Sequence, residues 1–148
     1  MAGPAAAADG TTSLATVLDA GNASFDRNAG DFDILTKAIE TVLAAKPNSA
    51  VKVLADGPTA LTAFIPTDRA FQNLATALSG SKVTTEQAAF DAVAGLGVNT
   101  VEQVLLYHVV PGATILSEDA LGADGAKLKT ALKGKVITVD VTATPSII

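Results

Sequence analysis

The residues best suited to chemistry lie in Leu105-Leu106-Tyr107-His108-Val109-Val110-Pro111-Gly112, which places the only tyrosine and the only histidine of the chain side by side. An imidazole titrates nearest neutral pH, so His108 is the first candidate for a general base. That role needs a nucleophile and an orienting group, or two carboxylates held in different environments. No serine lies in a Gly-x-Ser-x-Gly elbow. The acidic residues Asp19, Asp31, Asp56, Asp68, Glu86 and Asp119 are scattered near expected caps and turns. His108 therefore reads as a structural side chain, with a small hydrolase as the weaker alternative.

Other chemistries find less support. The chain has no cysteine, which removes disulfides, thiol nucleophiles and thiolate metal sites. One histidine without cysteines would need distant carboxylates to complete a zinc or iron centre, so no metal and no cofactor is expected. Gly95-Leu96-Gly97 lacks the third glycine of a dinucleotide fingerprint, and Gly134-Lys135 is followed by Val136 where a phosphate loop needs Ser or Thr. Both read as turns. Lys127, Lys129, Lys133 and Lys135 form the one basic cluster; without interleaved aromatics they suit a solubilised strand edge better than nucleic acid.

Composition sets the frame for these residues. A chain of 148 residues that is 49% hydrophobic can bury one sizeable core. Only 17% of residues are charged and the net charge is −5, which argues against capture of nucleic acid or an anionic membrane. No apolar run approaches the roughly 20 residues of a membrane span. The opening MAGPAAAADGTT has no basic flank and no leucine-rich stretch, so residues 1–12 read as a flexible tail before a single domain at 13–148.

The elements that must position the candidates follow from caps and periodicity. Ser13 is expected to cap a short helix through Leu14, Val17 and Leu18. Asp31 precedes Phe32, Leu35, Ala38, Ile39, Val42 and Leu43, an apolar stripe at helical spacing that Pro47 stops. Val51 to Ala55 reads as a β-prone piece and Leu61 to Ile65 as a strand closed by Pro66. Thr67 or Asp68 then caps a helix carrying Ala70, Phe71, Leu74 and Leu78.

Thr84-x-x-Gln87 and Thr100-x-x-Gln103 read as capping boxes opening two further helices. The second passes into a strand from Tyr107 to Val110. Ser117 is placed to cap one turn. Alternation from Lys127, a break at Lys133-Gly134 and a run from Val136 to Val141 form a hairpin. Helices in the first two thirds and strands in the last define an α+β class.

Two stretches together resemble a known family. Thr62-Ala63-Phe64-Ile65-Pro66-Thr67-Asp68-Arg69-Ala70-Phe71 is similar to the first signature of fasciclin domains, and Leu105 to Gly112 resembles their Tyr-His segment. The likeness covers roughly Ser13 to Val141. It implies a β-wedge packed with several α-helices and a secreted or surface-displayed, non-enzymatic adhesion or protein-interaction module, of the bacterial type by its alanine-rich, cysteine-free composition. The motif and interface candidates it marks are Phe64, Pro66, Thr67, Asp68, Phe71, Tyr107, His108 and Pro111. It implies a partner that is a protein or an extracellular polysaccharide.

Binding of small apolar ligands or glycans in a cleft near the Tyr-His strand is the alternative. If Tyr107 and His108 sit in a strand, alternation sends their rings to opposite sides, with Thr67 and Asp68 as candidate polar partners. The family's closing Asn-Gly-x-Ile-His-x-Ile-Asp-like strand pair is not recognisable before Ile148. The resemblance thus implies truncation, processing or an atypical member, and an open strand edge near Val136 to Val141 able to pair with another copy.

Overall fold

The computed structural model describes residues 12–19, 24–112, 115, 119 and 121–140. Helix α1 (Leu14–Asp19) starts where Ser13 Oγ accepts from the Thr16 amide at 3.1 Å. Helix α2 (Asp33–Ala45) is the central element. Ile34, Leu35, Ala38, Ile39 and Val42 make its inward stripe, with Ile34 and Val42 fully buried. Lys46 is its C-cap, directly before Pro47, whose ring cannot continue a helix.

The segment expected to be extended at Val51 to Ala55 is a 3₁₀ helix, Ala50–Ala55. The Ser49 side chain accepts from the Val51 amide and turns the chain locally, while Val51 and Leu54 insert into the core. Local capping and burial on one side override β propensity here. Strand β1 (Leu61–Ala63) pairs antiparallel with β2 (Val109–Pro111), with Leu61 opposite Pro111 and Ala63 opposite Val109. The Phe64 amide extends the ladder by donating to the His108 carbonyl at 2.9 Å.

Helix α3 (Asp68–Ser79) opens on Thr67, whose hydroxyl accepts from the Ala70 amide, and ends on Gly80 at φ 71°, a left-handed cap that only glycine adopts freely. Its buried face is Phe71, Gln72 and Ala75; Leu74 and Leu78 point outward, 38% and 50% exposed. Helix α4 (Glu86–Ala94) is capped by Thr85, one residue later than the Thr84 box predicts. Gln87 consequently reaches forward along the helix to Asp91 Oδ1 at 2.9 Å. Helix α5 (Val98–Tyr107) starts from Gly97 at φ 94°, which puts Thr100 inside the helix instead of at its cap.

Strands β3 (Lys127–Lys129) and β4 (Val136–Thr138) form the expected antiparallel hairpin, with Lys129 opposite Val136. It leans on the first sheet through Ala131, whose amide donates to the Val109 carbonyl at 2.7 Å. The described residues thus form six helices and two small antiparallel sheets around one core, the mixed α+β class expected. The expected tail at residues 1–12, apart from Thr12, the cap at Ser117 and the chain end from Val141 lie outside the described residues.

Candidate functional site

The Tyr-His segment sits at a helix end, not in a strand. Tyr107 is the last residue of α5 and His108 is its C-cap, at φ −87° and ψ 0°. The rings do not part to opposite faces; they meet edge to face, with centroids 5.8 Å apart and planes at 84°. His108 Nδ1 lies 2.7 Å from the Val104 carbonyl, one helical turn back, so the ring acts as a donor that satisfies a carbonyl at the end of α5. Tyr107 directs its hydroxyl to the Val136 carbonyl at 3.4 Å, tying α5 to the hairpin. Thr67 and Asp68 are therefore not partners of this pair.

Four of the eight candidates share one place. Phe64, Pro66, Phe71 and His108 line a small apolar cavity together with α2 and α5 side chains such as Ile39 and Leu105. Its volume, about 20 Å³, admits one water and no small-molecule ligand. Pro111 is exposed at the end of β2, and Tyr107 stands outside the cavity at 38% exposure.

Asp68 does something that local reading does not show. Its carboxylate is wholly buried and accepts from the first amides of α2, Asp33 N at 3.1 Å and Ile34 N at 2.9 Å. Phe32, the residue in the cap position of α2, makes no side-chain capping bond. The signature Thr67-Asp68 thus serves two helices at once: Thr67 caps α3, and Asp68 caps α2 across the core. The Asp68 amide donates to the Asp31 carbonyl and the Arg69 amide to Ala29, which fixes the 25–32 loop against the start of α3.

Carboxylates dispersed in sequence converge here. Oxygens of Asp31, Asp33 and Asp68 lie within 4.8 Å of one another, and so do oxygens of Asp26, Asp31 and Glu86. Asp26 and Asp33 were not singled out by sequence, although Asp26, Asn28, Asp31 and Asp33 crowd one eight-residue stretch, the signal available for finding them. Burial pushes the Asp68 carboxyl up to about 7, aided by Asp31 and Glu86, against the pull of the Ile34 amide. Burial likewise raises Asp33 to about 6 and lifts Glu86 above the usual range, with neighbouring carboxylates adding to both.

A second polar junction lies across the core. Glu102 on α5 accepts from Lys46 and from Ser49, the latter two flanking the end of α2 and the start of the 3₁₀ helix. The Lys46 ammonium, then the Ser49 hydroxyl, hold the Glu102 carboxyl below its usual range.

Interlocked helix caps around an apolar helical core, and a sole imidazole engaged with backbone, define an α+β domain whose polar interior serves architecture. The description "Fasciclin domain" matches residues 35–148, and the chain belongs to that family. Fasciclin domains are generally adhesion or interaction modules, typically non-catalytic and often extracellular. No curated protein and no solved structure matches the chain. Among the described residues no helix is long and apolar enough to cross a membrane.

Proposed function

We propose that this domain is a secreted or surface-displayed adhesion module of bacterial type, and that it associates with a second copy of itself through the face made by Tyr107 and the β3–β4 hairpin. One observation carries the choice of face. Tyr107 and Val136 are 38% and 41% exposed and adjacent, and Lys127, Lys129, Lys133 and Lys135 stand exposed on the same hairpin. Neither ion pair of the described residues involves these lysines.

An exposed aromatic body beside cations that stand outside the ion pairs of the described residues is suited to an acidic partner surface. A chain of net charge −5 offers such a surface on its own second copy, and β4 pairs with β3 alone as a strand among the described residues, its outer Val136 carbonyl taken by Tyr107. Sedimentation velocity tests the reading: association that grows with protein concentration, weakens in high salt and is lost in Tyr107→Ala supports it. A strict monomer in low salt counts against it and turns the search to a foreign protein or acidic polysaccharide.

A second reading, glycan capture, has its own observation. An open groove of about 630 Å³ beside α3 is lined by Arg27, Arg69, Gln72, Asn73 and Lys82. It replaces the cleft expected near the Tyr-His segment, and its planar and cationic donors fit hydroxyl and carboxylate groups of an acidic sugar. A rise in melting temperature with uronic-acid oligosaccharides, absent in Arg69→Ala, supports this reading; no rise discards it.

A further inference from the structure

The buried carboxylates have fewer donors than oxygens. Glu86 is 1% exposed; its Oε2 accepts from the Asp26 amide, while its Oε1 is shut from water and has no hydrogen-bond partner. Asp31 Oδ2 accepts from Asn28 Nδ2 at 3.0 Å, but Asp31 Oδ1 is also buried without a donor, apart from a proton it could share with Asp68. An ionised oxygen held this way is costly unless a cation faces it. Among the described residues the two ion pairs are Lys37–Glu40 and Lys46–Glu102, so no lysine or arginine is ion-paired to Asp26, Asp31 or Glu86; Lys37 acts on the cluster only through Asp33, whose carboxyl it pulls down.

From this arrangement we infer that Asp26, Asp31 and Glu86 bind a divalent cation, Ca²⁺ by the chemistry of the donors, where the 25–32 loop meets the first turn of α4. Every ligand atom on offer is a carboxylate oxygen, the hard donor that Ca²⁺ prefers and zinc or copper does not require. Ca²⁺–oxygen distances of about 2.4 Å allow ligands on opposite sides of the ion to stand about 4.8 Å apart. One carboxylate oxygen from each of the three residues falls within 4.8 Å of the other two, so one ion can reach all three residues.

Exposure is graded in a way that suits entry of an ion. Asp26 is exposed, Asp31 is half-buried and Glu86 forms the floor. Asn28, holding Asp31 Oδ2, orients that carboxylate, and the Asp26 amide orients Glu86. Asp33 and Asp68 lie behind Asp31 and add negative field without needing to touch the ion. The cation would join the loop, α4 and, through Asp31, the α2–α3 cap. This is independent of the adhesive face.

The test uses the full chain, stripped with EDTA and exchanged into metal-free buffer at pH 7.5. Calorimetric titration with CaCl₂ is expected to give one saturable site, and the melting temperature is expected to rise with CaCl₂ up to about 10 mM, roughly ten times the weakest Kd of extracellular Ca²⁺ modules. Glu86→Gln keeps the shape of the side chain and should weaken Ca²⁺ by at least about tenfold. Glu102→Gln, outside the cluster, should leave the titration unchanged. Circular dichroism establishes that both variants are folded. No saturable heat and no thermal shift with Ca²⁺ overturns the inference. So does undiminished Ca²⁺ affinity in folded Glu86→Gln, or a response to MgCl₂ that CaCl₂ does not reproduce.

Discussion

The buried acid cluster gives the domain an unusual dependence of stability on pH. Asp68 has an ordinary carboxyl pKa of 3.8 in the unfolded chain and about 7 in the fold. A group whose folded pKa is raised binds its proton more tightly in the native state. Its contribution is therefore most favourable below pH 4 and is lost as pH climbs to about 7. At 1.36 kcal/mol per pH unit, the climb from 3.8 to about 7 corresponds to a loss of about 4 kcal/mol at most.

Asp33 and Glu86 shift in the same direction, but their mutual repulsion prevents simple addition. A net loss of at least about 2 kcal/mol between pH 5 and pH 8 is expected, half the limit for Asp68 alone. Urea unfolding in EDTA across that range measures it, and the midpoint should fall by about 1 M for a slope near 2 kcal/mol/M. Asp68→Asn keeps an oxygen facing α2 and cannot ionise, so its midpoint should vary by less than half as much. A wild-type midpoint that rises from pH 5 to pH 8 refutes the reasoning, as does a variant with the wild-type slope.

Other consequences are more local. Glu102→Gln removes a charged acceptor from Lys46 and Ser49 and should lower stability by about 1–2 kcal/mol at pH 7 in urea unfolding. Glu102 is held below its usual range, so its stabilisation is present above the ordinary glutamate pKa and is lost as pH falls through the depressed value. The variant and wild type should converge only on the acid side of pH 4.5. His108→Ala removes the donor to Val104 and part of the cavity wall, and should cost about 1–3 kcal/mol without abolishing association. Val42→Ala, at a fully buried site in the last turn of α2, should lower stability by about 1–3 kcal/mol in the same assay.

What could be read from sequence was what the chain decides locally. The α2 stripe, the Thr67 cap, the Gly95-Leu96-Gly97 break and the lysine hairpin all follow from residues within a turn or two of one another. The two capping boxes failed at the scale of a few residues. A threonine one position further on took the cap of α4, and a positive-φ glycine opened α5. The 3₁₀ segment failed because its register is set by Ser49 and by burial of Val51 and Leu54, not by β propensity.

The site was less legible because its interactions are long-range. Asp68 caps a helix 34–35 residues earlier in the chain, and Glu86 meets Asp26 from 60 residues away. Nothing in their sequence neighbourhoods distinguishes them from Asp56 or Asp91, which stay on exposed positions. The Tyr-His pair was found by its residue types, but its geometry depends on where α5 ends. One more helical residue than expected turned opposed rings into an edge-to-face pair.

The measurement closest to the central claim is sedimentation velocity of the wild type and Tyr107→Ala, in low and high salt, over a wide concentration range. The adhesive reading predicts concentration-dependent association in low salt that high salt weakens and Tyr107→Ala removes. Wild type and variant sedimenting alike, whether both as monomers or both as the same oligomer, would contradict it.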